Sequence, residues 1–397
     1  MFRETVARFM AGMCLLKHPV VCEHATERPR FPLYYRGMTL SKFSLVFHVL
    51  GPVIAVVLVV VFWSSPPDLF GVLFLTVVLA GGVMSSVHYV EIVAAHVGRV
   101  WGAIVLAIAV TVIEVGLILA IMLSAGPTAA TLGRDTVFAA VMITCNGIIG
   151  FSVVAATLRS STSSFNSEGS GAALGAIATI ATLGLVLPSF LKGSSGPTFT
   201  QPQLVFVAFV ALSIYALFLW VLTVRNREHF EDVESPPTEA LHLPPTTATF
   251  RWSIVLLVVS LGAIVGLAKV LAPSIETVVR GAGLPLTLVA VILALVILMP
   301  EGISAVRFAR RGNLQSSFNI GYGSALASIG LTIPALAIFS LVLDVDLQFG
   351  LGASEIVLFF LTLVVSTVTV ASHRVTLFQG GLHVVIFFSF LFLAVSP

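Results

Sequence analysis

Along this chain, apolar residues gather into runs of about 20, the length that carries an α-helix across a hydrocarbon layer. Measured that way, the sequence predicts about eleven spans, near residues 44–63, 69–90, 102–123, 135–157, 171–190, 202–224, 252–272, 285–306, 316–341, 353–371 and 377–395. One polar stretch stands apart: RNREHFEDVESPPTEALHLPPTTATFR, residues 225–251, is rich in acid and proline and reads as a cytosolic linker dividing the chain into halves. Ahead of the first span, MFRETVARFMAGMCLLKHPVVCEH has too short an apolar core and no small-residue cleavage site for a signal peptide, so residues 1–42 read as a cytosolic arm.

The halves resemble each other. Laying EIVAAHVGRVWGAIVLAIAVTVIEVGL, from Glu91, beside ETVVRGAGLPLTLVAVILALVILMPEGI, from Glu276, matches Glu91 with Glu276 and Gly98 with Gly283. With a two-residue gap, Glu114 then meets Glu301. Each of the latter carboxylates lies deep in an apolar span, and each span is followed by a helix of small and polar residues, TCNGIIG at 144–150 and GYGSALASIG at 321–330. Each repeat holds five spans, an odd number, so the two enter the membrane from opposite sides. The expected architecture is therefore an all-α polytopic membrane protein. It has an arm (1–42), an extra helix (43–65), a first five-helix repeat (66–224), the linker (225–251) and an inverted second repeat (252–397).

Composition agrees: 58% of residues are hydrophobic, 10% charged, and the mean hydropathy is +1.08, far from the range of a water-soluble globular chain. The net charge of +2 does not point to nucleic acid. Placement of charge says more than its sum. Of the 20 lysines and arginines, an N-terminus-in, C-terminus-out topology leaves only Arg134, Lys192, Lys269 and Arg280 outside, as the positive-inside bias requires. Cys14, Cys22 and Cys145 are an odd number at spacings that suggest no disulfide framework.

An ionised carboxylate at the centre of a spanning helix costs on the order of 3 kcal/mol on insertion scales, so Glu114 and Glu301 need a partner or a task. The nearest lysines and arginines lie at span ends, within reach of headgroups, which makes an internal salt bridge a poor explanation. A proton or a metal cation remains. Removal from water favours the protonated carboxyl, and a bound cation reverses that balance and expels the proton, so competition at one site amounts to proton-coupled exchange. Pro300 lacks an N–H and so frees the carbonyl near Val296, which with Gly302 predicts a broken helix whose backbone can face an ion. Two carboxylates, the Asn146 amide oxygen, the Ser324 hydroxyl and carbonyls form an all-oxygen set suited to Ca2+, and leave Na+ open.

These features, together with VTVIEVGLI, LGRDTVFAAVMIT, PEGISAVRFARRGNLQSSFNIGYGSALASIGLTIPA and TLFQGGLHVVIFF, resemble the calcium/cation antiporter superfamily. Within its proton-coupled branch, the bacterial calcium (sodium, potassium)/proton antiporters are the most similar, over residues 43–397. The resemblance implies Ca2+ and protons as transported substrates, no cofactor, and a place in a prokaryotic inner membrane. The Gly-Asn pair that precedes the buried glutamate in the wider superfamily is Val110-Thr111 before Glu114 and Ile297-Leu298 before Glu301, which removes two amides from the implied ligands. The family's Gly-Ser pair is present as Gly323-Ser324, with Cys145-Asn146 as its counterpart. Na+ or K+ in place of Ca2+ is the alternative substrate.

Plainer readings stand beside these. A buried glutamate can be interhelical glue, and Asn146 and Ser324 are residue types that routinely bond between helices, as are Thr111, Thr144, Ser328 and Thr332. Glu91 and Glu276, near span ends, suit solvated interfacial carboxylates or gating groups. His383 and His88 are candidates for proton relay or for satisfied buried imidazoles. The linker acids Glu228, Glu231, Asp232, Glu234 and Glu239 suit a solvated segment or a cation sensor, and Cys14, His18, Cys22 and His24 match no strong zinc spacing. No HExxH, phosphate-binding loop or nucleophile elbow is present, so an enzyme is not expected. A channel would use the same carboxylates without proton coupling.

Overall fold

The computed structural model describes residues 42–64, 67–97, 99–158, 162–191, 196–225, 247–343, 345 and 347–396. The N-terminal cysteines and histidines and the linker acids lie outside them. The chain divides after Leu45, and its main body is formed by Val46–Pro397.

The described residues are almost entirely helical. In chain order they form α1 (Lys42–Phe62), α2 (Leu69–Val97), α3 (Arg99–Ala125), α4 (Leu132–Met142), a π turn (Ile143–Ile148) and α5 (Ile149–Thr157). Then come β1 (Ser163–Ser164), α6 (Ser167–Ala181), α7 (Gln201–Trp220), α8 (Thr247–Gly281), α9 (Thr287–Arg310), α10 (Leu314–Leu343), α11 (Ala353–Ala371), β2 (Arg374–Val375) and α12 (Leu377–Val395). Among the described residues, 10 helices are long and apolar enough to cross a membrane, and they coincide with the second to eleventh expected spans. The first expected span is α1, a helix of 21 residues. It packs on α8, where a Cβ placed on Gly266 would lie 2.9 Å from Val59, and Lys269 sits 4.3 Å over the Trp63 ring.

The distribution of burial is that of a protein solvated by lipid. A continuous apolar core runs from Ala55 to Ala394, while Phe70, Val77, Phe209, Phe360, Phe378 and Phe392 stand exposed around the outside. In water such a belt would be a contiguous sticky surface; in hydrocarbon it is the matched one. Burying apolar side chains gives helices little reason to associate in lipid, so close backbone approach and interhelical hydrogen bonds must supply it.

The α5–α12 contact is of the first kind. A Cβ on Gly150 would meet the His383 Cβ at 2.9 Å and the Val384 backbone nitrogen at 3.1 Å, and one on Gly380 would meet the Val154 backbone nitrogen at 2.9 Å. Backbone cannot step aside as a flexible side chain can. Gly150→Ala is accordingly expected to destabilise the protein by about 1–3 kcal/mol, read as a lowered melting temperature in detergent; an unchanged melting temperature would show that the two helices have room to part.

Two details fix how α9 enters α10. Gly312, at φ 87°, occupies the left-handed position after the α9 C-terminus, with the Asn313 N–H bonding back to the Phe308 carbonyl at 3.1 Å. The Asn313 side chain then accepts from the Ser316 N–H at 2.8 Å and so opens α10. At the same end of the bundle β1 pairs antiparallel with β2, and the Ser167 hydroxyl meets His373 Nδ1 at 2.7 Å.

One expectation is corrected. α9 runs unbroken through Pro300, although that proline supplies no N–H to the turn before it. Membrane helices tolerate proline where neighbouring helices hold the segment in place. Irregular backbone lies instead in spans of the first half, at the π turns Ile143–Ile148, Thr182–Val186 and Val221–Arg225, the first of which is the one packed on α9.

Candidate functional site

The two helices that carry the buried carboxylates, α3 and α9, pack against each other, and each also packs against the polar helix of the opposite half. α3 lies on α10; α9 lies on α4, the π turn and α5.

Glu114, on α3, is 2% exposed. Ser328 on α10 donates to both carboxylate oxygens, at 2.7 and 2.9 Å, and Thr332 donates to Oε2 at 2.8 Å. These hydroxyls stand on one helix face because they are four residues apart, and Ser324, partly buried, continues the same stripe one turn earlier. Among the described residues Glu114 has no ion-pair partner.

Glu301, on α9, sits differently. Its Oε2 is buried without a hydrogen-bond partner among the described residues. The next residue, Gly302, faces Ile148 of the π turn, 3.5 Å from where its Cβ would lie. Glu91, on α2, is an exposed carboxylate. By the sequence correspondence of Asn146 with Ser324, steps of four and eight residues pair Ser328 with Gly150 and Thr332 with Val154, neither of which carries a hydroxyl. Those two positions pack on α12, Gly150 against His383 and Val384 and Val154 against Gly380.

Asn146, within the π turn, forms the centre of a second buried network. Its Nδ2 donates to Thr362 Oγ1 on α11 at 2.9 Å, and its Oδ1 lies 3.2 Å from His383 Nδ1 on α12. His383, fully buried, meets Thr369 Oγ1 with its other nitrogen at 3.1 Å, which makes it a satisfied core imidazole. The amide that was expected to face the ion thus turns toward α11 and α12. Glu276, on α8, is half-buried. Among the described residues, no three His, Cys, Asp or Glu side chains cluster as a metal centre.

Sequence reasoning singled out both carboxylates but placed Ser328 and Thr332 with packing residues, and passed over Thr362 and Thr369. The four-residue ladder Ser324, Ser328, Thr332 was the signal available for the first pair. Nothing local announces the second, since Thr362 lies 216 residues from Asn146.

The helical membrane body thus carries one buried carboxylate, Glu114, and one partly buried, Glu301, on two helices that pack together. The chain belongs to the sodium/calcium exchanger protein family, whose profile matches residues 67–224 and 252–396. It is 44% identical over 322 residues to the y4hA protein of Sinorhizobium fredii, covering 80% of this chain and 87% of that one. It is 30% identical over 356 residues to the sodium-potassium/proton antiporter ChaA of Escherichia coli, covering 88% and 94%. Two solved structures share the fold. Native YfkE has a TM-score of 0.66 at 15% identity, over 89% of this chain and 99% of its own. The H+/Ca2+ exchanger CAX has a TM-score of 0.65 at 17% identity, over 89% of each chain. The protein is thus an integral membrane ion exchanger of the calcium/cation antiporter superfamily, and not an enzyme.

Proposed function

We propose that this protein exchanges Ca2+ for protons by alternating access, with Glu114 and Glu301 as the groups that hold either the cation or protons. The observation that carries this reading is the pair of carboxylates set in packed helices with no basic partner among the described residues, Glu114 buried and held by two hydroxyls and Glu301 partly buried with its buried oxygen left without a partner. A carboxylate so placed is stable in hydrocarbon only when protonated or when a cation neutralises it. Each state excludes the other, and that exclusion couples the two fluxes.

In this reading Ser324 joins the shell as a hydroxyl ligand on the stripe that already serves Glu114. Asn146 joins when its amide leaves His383 and Thr362, which makes His383 a group that keeps the ligand turned away in the present arrangement. Glu91 and Glu276 attract cations at the mouths of the site. The two halves act as inverted five-helix repeats in an inner membrane, with the N-terminus in the cytosol and the C-terminus outside, as the lysine and arginine bias supports.

Na+ or K+ is the alternative cargo, favoured by the likeness to ChaA and by the missing Gly-Asn amides. The deciding experiment places the full chain in liposomes with a trapped pH dye and imposes gradients of Ca2+, Na+ or K+ in turn. Proton movement driven by Ca2+ is expected. A response to Na+ or K+ alone would keep the antiport and overturn the substrate, while cation flux without proton movement would indicate a channel.

A further inference from the structure

The exchange mechanism makes no use of a cleft of ≈ 880 Å3 on the flank of α9, between that helix, α5 and α12. Among the described residues its walls are almost wholly apolar, with Ile148, Phe151, Leu298 and Ile303 among them, and no acidic side chain lines it. The charged lining residues among those described are Arg307 and Arg310, both exposed, gathered at the C-terminal end of α9.

Length and charge together say what fits. From Leu298 to Arg307 α9 rises about 14 Å, close to half the roughly 30 Å of a bilayer's hydrocarbon, so the apolar part of the cleft spans one leaflet. The two arginines, three residues apart and on one helix face, then lie where that leaflet's headgroups begin. Exposed arginines at the end of an apolar cleft complement an anionic headgroup, and the planar guanidinium pairs with phosphate through two N–H groups at once. A free anion would use the arginines and leave the apolar wall unexplained.

We propose that this cleft holds a phospholipid with an anionic headgroup, its acyl chain lying along α9 and its phosphate between Arg307 and Arg310. Gly302 and Leu298 belong to both the cleft wall and the helical turns that carry Glu301, so the lipid braces the outer side of the candidate ion site.

The test uses the purified, delipidated full chain and native mass spectrometry, titrating phosphatidylglycerol or phosphatidylcholine with inorganic phosphate as competitor. Phosphatidylglycerol is expected to be retained at concentrations about tenfold lower than phosphatidylcholine, a ratio worth about 1.4 kcal/mol. The double variant Arg307→Gln/Arg310→Gln is expected to abolish the preference. Ile303→Trp, which fills the cleft and leaves both charges, is expected to weaken retention of both lipids. Equal retention of the two lipids by the parent protein would overturn the proposal, as would displacement by inorganic phosphate. If the arginine variant does not fold, Ile303→Trp decides alone, and unchanged phosphatidylglycerol retention there sinks the idea.

Discussion

Glu301→Gln is expected to lower cation-driven proton movement in proteoliposomes at least about 100-fold, a loss of about 2.7 kcal/mol of driving interaction, while leaving the melting temperature within about 2 °C of the parent. Glutamine fills the same space but neither binds an exchangeable proton nor neutralises a cation. Its cost to folding is small because the buried Oε2 it replaces has no hydrogen-bond partner to lose among the described residues. Glu114→Gln provides the contrast. Its remaining oxygen can still accept from Ser328, but the amide group that replaces Oε2 can only donate, so the Thr332 hydroxyl must turn from donor to acceptor and gives up the bond it makes to the carboxylate at 2.8 Å. Transport should fall as far as in Glu301→Gln, and stability should fall by about 1 kcal/mol, the usual scale of an interhelical hydrogen bond in a membrane. Proteoliposome flux and thermal melts in detergent measure both. Full exchange in either variant would remove that carboxylate from the mechanism, and a larger stability loss in Glu301→Gln than in Glu114→Gln would make Glu301 a structural group.

The largest effect on stability is expected at the opposite end of α9. Asp135, 2% exposed at the start of α4, accepts from Thr131 at 3.0 Å and from Thr287 of α9 at 3.2 Å, and pairs with Arg134, whose Nε donates to Oδ1 at 2.7 Å. Arg134 in turn reaches the Gly350 carbonyl at 2.6 Å, tying α4 to the segment that leads into α11. Arg134→Met leaves the carboxylate buried with only hydroxyls for company. Breaking a buried pair from one side costs about 3–5 kcal/mol, and the partial exposure of Arg134 places this case near about 3 kcal/mol. Adding Asp135→Asn removes the stranded charge and should recover a large part of the loss. A single variant as stable as the parent would show that water already solvates the pair.

The membrane class of the fold could be read from the chain because hydropathy acts through local composition: each of the later ten spans declared itself as a run of apolar residues long enough to cross. Glu114 and Glu301 were legible for the same reason, as charges in segments that otherwise exclude them. The identity of their partners was not. Ser328 meets Glu114 across 214 residues, and a serine on a helix looks the same whether it bonds its own backbone or another helix. Pro300 misled because the penalty for proline is a property of an isolated helix, and packing carries α9 straight through it. The π turn had the opposite fault. Its residues, ITCNGI, have no unusual propensity, and Gly147 is packed so closely on Phe387 that an added Cβ would lie 3.2 Å away, a tertiary constraint no local reading contains.

That wide turn bears on how a helix can move inside hydrocarbon. A π turn holds one residue more than an α turn, so α5 is rotated by about 100° from where a continuous α-helix would aim it. The surplus residue belongs to no fixed position in principle: handing it along the span by one turn exchanges one set of internal backbone bonds for another and exposes no N–H or C=O to lipid. Each handover re-aims the side chains it passes, Asn146 among them, while both ends of the span stay where they are. In the present arrangement the surplus residue sits at Ile143–Ile148 and sets the face on which Asn146 stands, toward α11 and α12.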